Sequence, residues 1–164
     1  MAAADVVCDV KLPPFQSLLD AHRSEVFRFL VASVGRNDAE DCFQDTFTAA
    51  LRAYPDLADA SNLKGWLFTI AHRKAIDCHR RRSRSDLPVA KLPERGEDRE
   101  PALVDQALWT RVRALPAKQR SSIVLRFVED LPYRTIGEVT GCSEAAARQN
   151  VRAGLINLRK APTT

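Results

Sequence analysis

Apolar residues recur at helical spacing along most of the chain, and no segment shows the strict alternation typical of a β-strand. In the first half, this spacing predicts three helices. The first covers residues 15–34 and ends where Gly35 suits a helix C-terminus. The second is expected to begin at Asp38, whose carboxylate can cap it, and to include Leu51 among its inward-facing residues. The third follows a short polar loop, in which Ser61 or Asn62 can cap it, and continues into three arginines at residues 80–82.

Four shorter helices are predicted in the second half. The first spans residues 103–115, with Leu108 on its inner face. The next is expected to have Pro116 in its first turn, where the missing N–H has no cost, and to bury Phe127. Pro132 opens the third, which is short and is followed by a tight turn. The seven patterns together indicate a chain built from helices alone.

The last two predicted helices have the pattern of a helix-turn-helix, because a short helix, a three-residue turn containing glycine and a second helix follow one another. Ser143 is expected to cap the second helix. At about 100° per residue, one side of this helix carries small and apolar residues: Ala147, Val151, Gly154 and Leu158. The other side carries Ala145, Arg148, Gln149 and Arg152. Arg and Gln can bond guanine and adenine edges in the DNA major groove, although a solvated amphipathic helix has the same two sides.

Charge is distributed in blocks along the chain. The 164 residues have a formal net charge of +4 and a pI of about 9.1, a weak indication of a polyanionic partner. Residues 71–84 hold six Lys or Arg and one Asp, which suits a nucleic-acid backbone, with a solvated basic surface as the alternative. Residues 85–101 hold three prolines and eight charged residues without apolar periodicity, which predicts a flexible linker.

These patterns predict an all-α fold of two small helical domains joined by a flexible linker, with the helix-turn-helix in the second domain. The predicted division is an N-terminal tail at residues 1–14, a first domain at 15–84, the linker at 85–101 and a second domain at 102–164. Each domain is small enough to be only marginally stable alone.

The sequence gives little support for a metal-binding protein, an enzyme or a membrane-spanning protein. The four cysteines lack the close spacing of a zinc site and are expected to be buried thiols in a reducing cytoplasm. Cys78 and His79 are adjacent, so their side chains diverge by about 100° on a helix. There is no glycine-rich phosphate loop, nucleophile elbow or HExxH motif, so neither catalytic residues nor a cofactor is predicted. The N-terminal residues lack the basic and apolar regions of a signal peptide, so no membrane insertion is expected.

Three stretches carry a resemblance to a known family. Residues 38–54 read DAEDCFQDTFTAALRAY, and residues 65–82 read GWLFTIAHRKAIDCHRRR. Residues 115–160 read LPAKQRSSIVLRFVEDLPYRTIGEVTGCSEAAARQNVRAGLINLRK. In this order, with a charged linker between, they resemble the extracytoplasmic-function (ECF) group of bacterial sigma factors. The resemblance implies a sigma region 2-like first domain, a region 4-like second domain and no active site.

The resemblance also implies four sets of binding residues. The second helix would dock on the clamp helices of RNA polymerase through Asp41, Gln44 and Asp45. The loop before the third helix would capture a flipped base of the −10 promoter element through Asp59, Ser61, Asn62 and Lys64. The third helix would contact the same element through Arg73, Lys74, Asp77, Arg80 and Arg81. The helix-turn-helix would read the −35 element through Ala145, Arg148, Gln149 and Arg152.

The implied partners are core RNA polymerase, promoter DNA and, as for many members of the group, an anti-sigma factor, all in the cytoplasm. A second interpretation is a helix-turn-helix regulator that binds duplex DNA without docking on polymerase. That alternative gives no binding role to the acidic residues of the second helix or to the helix containing Trp66. It explains them only as parts of the core and of the solvated surface. The sequence departs from the usual family pattern at His72 and Arg73, where Arg-Asn is frequent, and at Pro132, where a Ser or Thr cap is frequent.

Overall fold

A computed structural model describes residues 11–84 and 106–160. Within these ranges the chain forms seven α-helices and one short 3-10 helix, and none of the described residues is in a strand. The first half contributes α1 (Phe15–Val34), α2 (Arg36–Ala53), the 3-10 helix (Tyr54–Asp56) and α3 (Leu63–Arg84). The second half contributes α4 (Gln106–Arg113), α5 (Ala117–Phe127), α6 (Tyr133–Thr140) and α7 (Glu144–Lys160). The all-α class is confirmed, while the linker at 85–101 and the tail up to residue 10 lie outside the described residues.

Two predicted helix caps are present in the structure. The side chain of Asn62 accepts a hydrogen bond from the Gly65 N–H at 2.9 Å, which fixes the first turn of α3. The Ser143 hydroxyl accepts one from the Ala146 N–H at 3.1 Å at the start of α7. The sequence therefore locates the starts of both helices that carry candidate DNA contacts.

The predicted start of α2 is wrong. The helix begins at Arg36, directly after Gly35, whose φ of 85° lets the chain turn sharply between α1 and α2. Asp38 therefore lies inside the first turn and caps nothing; its carboxylate pairs with Arg82 of α3 at 2.5 Å. The prediction for Pro116 is also wrong by one residue, since Pro116 precedes α5 and Ala117 begins it.

Three leucine and phenylalanine residues expected inside are exposed. Leu51 is 54% exposed because it lies about 115° around α2 from the centre of the buried side. Phe127, the last residue of α5, is 61% exposed, since the chain reverses at Asp130 and buries Leu131 instead. Leu108, in the first turn of α4, is 39% exposed.

The two halves pack against each other around one continuous apolar core. In the first half, Phe29 of α1 and Phe68 of α3 meet edge to face with ring centroids 5.6 Å apart. In the second half, Val124 and Ile136 are fully buried in the same core. Helix α3 lies against α6, and α1 lies against α4 and α5. The surfaces of the two halves must therefore be considered together.

Candidate polymerase and nucleic-acid interfaces

The exposed side of α2 carries the acidic strip, defined as Asp41, Gln44 and Asp45. All three residues are exposed, while Cys42 and Phe47 face the core from the same helix. The helical period alone produces this separation. The acidic strip is thus available to a partner with complementary positive charge.

The basic face of α3 is defined as Arg73, Lys74, Asp77, Arg80 and Arg81. Four of these residues line an open cleft together with Arg84 and with Asp45 of the acidic strip. Asp45 and Arg81 approach to 3.9 Å across the cleft, and both side chains are more than half exposed. The structure therefore places the acidic strip beside the basic face, a proximity that the sequence did not indicate.

The −10 loop is defined as Asp59, Ser61, Asn62 and Lys64, and it lies at the opposite end of α3. Asp59 accepts a hydrogen bond from the Ser61 N–H at 2.8 Å, and this contact lowers the pKa of Asp59 below its usual value. Lys64 forms an ion pair with Glu25 of α1 at 2.6 Å. The loop lies about 16 Å along the helix from Arg73 and about 28 Å from Arg81, so the candidate −10 residues follow the length of α3 rather than forming one compact cluster.

Asn62 also connects the −10 loop to the other half of the chain. Its amide nitrogen donates a hydrogen bond to a carboxylate oxygen of Glu138 on α6 at 3.2 Å, while its carbonyl oxygen caps α3. Both ends of this amide are therefore engaged within the chain when the halves are packed.

The −35 face of α7 is defined as Ala145, Arg148, Gln149 and Arg152, and all four residues are exposed. The opposite side is buried, with Ala147 and Val151 in contact with the core. Gly154 lies on that buried side, where an added Cβ would stand 2.5 Å from the Ile123 side chain. The expected two-sided character of the last helix is confirmed.

A close approach between α6 and the turn after it sets the angle of the helix-turn-helix. Gly141 ends α6 in the left-handed region at φ 69°. A Cβ at Gly137 would lie 2.7 Å from the Cys142 carbonyl oxygen, so the absence of a side chain lets the turn fold back on α6. Gly137 was not among the residues predicted from the sequence, although a glycine inside a helix often marks close packing.

Arg148 of the −35 face contacts two other side chains. Its guanidinium lies 4.9 Å from the centroid of the Tyr133 ring on α6, and it pairs with Glu144 one turn earlier on α7. The guanidinium of Arg126 on α5 lies 4.7 Å from the same ring. Tyr133 was not among the binding residues predicted from the sequence.

The contact between the halves includes a buried polar pair. His72 of α3 and Ser121 of α5 are both buried, and Nδ1 of His72 lies 2.8 Å from the Ser121 hydroxyl. Burial, followed by the positive charges of Arg120, Lys118 and Arg73, lowers the pKa of His72 to about 4. His72 is therefore neutral at physiological pH.

Among the described cysteines, two are buried thiols as expected. Cys42 and Cys78 lie between α2 and α3, and burial raises the pKa of both, for Cys42 to about 12. Cys142 is only partly buried, and Cys8 lies outside the described residues. No three potential metal-ligating side chains come together in residues 11–84 and 106–160.

Within the described helices, none combines the length and the apolar character needed to cross a bilayer.

Comparison with known proteins matches each half to a separate family model. Residues 18–85 match sigma-70 region 2, and residues 105–158 match sigma-70 region 4. The chain is 31% identical to the ECF RNA polymerase sigma factor ShbA of Streptomyces griseus, covering 76% of this chain and 71% of ShbA. It is 29% identical to the ECF RNA polymerase sigma factor SigE of Mycolicibacterium smegmatis, covering 90% of this chain. The alignment spans only 61% of the length of SigE.

Two solved structures have the same fold. The sigma factor RpoE of Bartonella quintana, in complex with the anti-sigma factor NepR, superposes with a TM-score of 0.71 at 24% identity over 89% of this chain and 94% of RpoE. CnrH, in complex with the cytosolic domain of CnrY, superposes with a TM-score of 0.68 at 22% identity over 88% of this chain and 84% of CnrH. At these identities the similarity concerns the fold alone.

The two family matches, in this order on one all-helical chain, define a protein of the sigma-70 type. More specifically, the chain belongs to the ECF group of bacterial RNA polymerase sigma factors. Proteins of this family are DNA-binding regulators of transcription rather than enzymes.

Proposed function

We propose that this sigma factor binds core RNA polymerase in the cytoplasm and directs it to promoters by recognising −10 and −35 elements and aiding DNA melting. The observation that carries the proposal is the separate exposure of a base-reading face on α7 and a basic face on α3, each within the matching sigma region. The chain needs no active site or cofactor for this role, because polymerase supplies the catalytic centre.

The acidic strip is the proposed docking surface for core polymerase. Its charges are exposed on a helix that is buried on its other side, so the strip is held in a fixed orientation. Complementary charge mainly raises the rate and specificity of association, which suits a factor that must find one large partner. The same surface has no role in a regulator that binds duplex DNA alone, so that alternative is not favoured.

The −10 loop and the basic face are the proposed surface for melted promoter DNA. Extruding a base costs a few kcal/mol of stacking and pairing energy, which is smallest for A·T pairs. Polar groups of the loop can bond the exposed edge of such a base, and the arginines of α3 can neutralise the phosphates that follow. The distance of about 28 Å along α3 suits several nucleotides of extended single strand.

The two halves must separate before both elements are bound. Elements centred near −10 and −35 are about 25 base pairs apart, or roughly 85 Å at 3.4 Å per step. A packed chain of this length has a radius of gyration of only about 15 Å. The packed arrangement, in which Glu138 engages Asn62 of the −10 loop, therefore represents a state before promoter binding.

An anti-sigma factor is a proposed further partner. The sigma factors RpoE and CnrH were solved in complex with the anti-sigma factor NepR and with CnrY. For this chain, a protein that binds both halves at once would hold them packed and keep the −10 loop engaged with α6. Such a partner would act by stabilising the packed arrangement relative to the promoter-bound state, in which the halves are separated.

Run-off transcription with core polymerase tests the proposed function. Adding the purified chain to core enzyme should give defined start sites on a library of promoter fragments, and core enzyme alone should not. Pull-down should recover core polymerase with the wild-type chain. Tight, sequence-specific binding to duplex DNA without polymerase, together with no captured polymerase, would instead favour the regulator.

A further inference from the structure

Tyr133 lies where three helices of the second half meet. It is the first residue of α6, partly buried against the core, and its ring interacts with Arg126 of α5 and Arg148 of α7. Both guanidinium carbons lie less than 5 Å from the ring centroid, well inside the range of a cation–π interaction. One aromatic ring thus links an arginine of the core-packing helix to an arginine of the −35 face.

The contact positions Arg148 without hiding it. The side chain of Arg148 is still 60% exposed, so the ring covers only part of its surface. A guanidinium attracted to an aromatic ring through its face keeps its N–H edges free to donate. Those edges are the groups that bond guanine O6 and N7 bidentately in the major groove.

Two further contacts hold the assembly in place. Arg126 donates a hydrogen bond to the Leu131 carbonyl oxygen at 3.1 Å, which anchors one cation beside the ring. Glu144 pairs with Arg148 from the first turn of α7, and it is itself about half exposed. The Glu144 contact uses N–H groups of Arg148, so it competes with a base, whereas the contact with the Tyr133 ring does not.

We propose that Tyr133 is a specificity-determining positioning residue, whose ring holds the Arg148 guanidinium in the orientation that reads a base pair of the −35 element. The proposal rests on the proposed function, in which α7 enters the major groove. A free arginine side chain loses rotamer entropy when it is fixed. Restricting Arg148 beforehand reduces that cost only for sequences that match its bidentate geometry, so the ring increases discrimination rather than general DNA affinity.

The test uses the full chain assembled with core polymerase and a pool of duplex promoters randomised in the −35 element, with sequencing of the bound DNA. Arg148→Ala identifies the base pair that Arg148 reads, through a loss of preference of roughly 5- to 150-fold. In Tyr133→Leu, the preference at the same base pair should fall at least threefold, which is equivalent to about 0.65 kcal/mol. Tyr133→Phe should retain the preference, because it keeps the ring.

Controls separate positioning from a structural role. Arg134→Ala removes a neighbouring, largely exposed arginine of α6 and should leave the preference unchanged. Adding Tyr133→Leu to Arg148→Ala should cause no further loss at that base pair. Thermal unfolding of each variant shows whether the fold is intact, and retained preference in Tyr133→Phe excludes an effect of the hydroxyl.

Two results would overturn the proposal, and they differ in meaning. If Arg148→Ala loses a base preference, Tyr133→Leu should not keep that preference or weaken binding to all sequences equally. Either result would mean that Tyr133 has only a structural role. If Arg148→Ala changes no base preference, the role of Arg148 in promoter reading fails, and the inference about Tyr133 fails with it.

Discussion

Arg28 and Glu129, which are 101 residues apart in the sequence, form a bidentate ion pair between the two halves of the chain. Nε and one terminal nitrogen of Arg28 donate to the two carboxylate oxygens of Glu129 at 3.0 and 2.9 Å. The Glu129 side chain is only 1% exposed, whereas that of Arg28 is 55% exposed. The hydrogen bond with Glu129 raises the pKa of Arg28 above its usual value. Arg28 thus satisfies a buried carboxylate in the turn that follows α5.

Replacing Arg28 should destabilise the packed chain. Arg28→Ala leaves the Glu129 carboxylate buried without these hydrogen bonds, so the free energy of unfolding should fall by about 1–3 kcal/mol. Arg28→Lys should recover only part of the loss, because an ammonium group cannot donate in the same two-pronged geometry. Urea unfolding measures both values, and Arg23→Ala on the exposed side of α1 is the matched control. Equal stabilities for wild type and Arg28→Ala would show that the ion pair contributes nothing.

Acidification should destabilise the packed chain through His72. Its pKa of about 4 in the folded state lies below the ordinary value of 6.5, so the unfolded chain takes up the proton first. The contribution of His72 to the free energy of unfolding should therefore be constant above about pH 6.5 and fall between pH 6.5 and 4, by about 3 kcal/mol. Urea unfolding near pH 7 and pH 5 measures most of this change.

A variant separates the contribution of His72 from that of His79, whose pKa is also lowered by burial. His72→Gln can still bond Ser121 but cannot titrate, so its stability should depend less steeply on pH than that of wild type. His79→Gln provides the parallel measurement for the second histidine. If His72→Gln kept the full wild-type pH dependence, another group would be responsible.

Removing the acidic strip should weaken polymerase docking. The double variant Asp41→Ala and Asp45→Ala deletes two exposed charges, and its affinity for core polymerase should fall by about tenfold, or 1.4 kcal/mol. The loss should shrink as salt is raised, because exposed charges are screened. Asp20→Ala with Asp56→Ala removes two exposed charges elsewhere and should retain wild-type affinity. Similar losses in both pairs would indicate an effect of net charge alone.

Cys42 should resist alkylation in the folded chain. A thiol with a pKa of about 12 has roughly a thousandfold less reactive thiolate near pH 8 than one at the reference value of 9.0. Mass spectrometry after brief iodoacetamide treatment should therefore find Cys42 unmodified in the native chain and modified in concentrated urea. Rapid modification of Cys42 without denaturant would mean that α2 and α3 open readily.

Local patterns in the sequence account for the helices and for the exposure of the −35 face. The helical period places Arg148 and Gln149 opposite Ala147 and Val151, and this arrangement holds whatever the helix packs against. The caps at Asn62 and Ser143 are equally local, since each involves a bond to a residue three positions away. Apolar character was less informative near helix ends, where Phe127 is exposed because its neighbours along the chain turn away.

Contacts between distant elements were decided only by the tertiary structure. The Arg28–Glu129 pair, the hydrogen bond from Asn62 to Glu138 and the Tyr133–Arg148 contact all depend on how separate helices meet. A helical period fixes the direction of each side chain around its own axis, but it carries no information about which helix lies opposite. That choice comes from packing the apolar sides of all the helices into one core, a property of the whole chain.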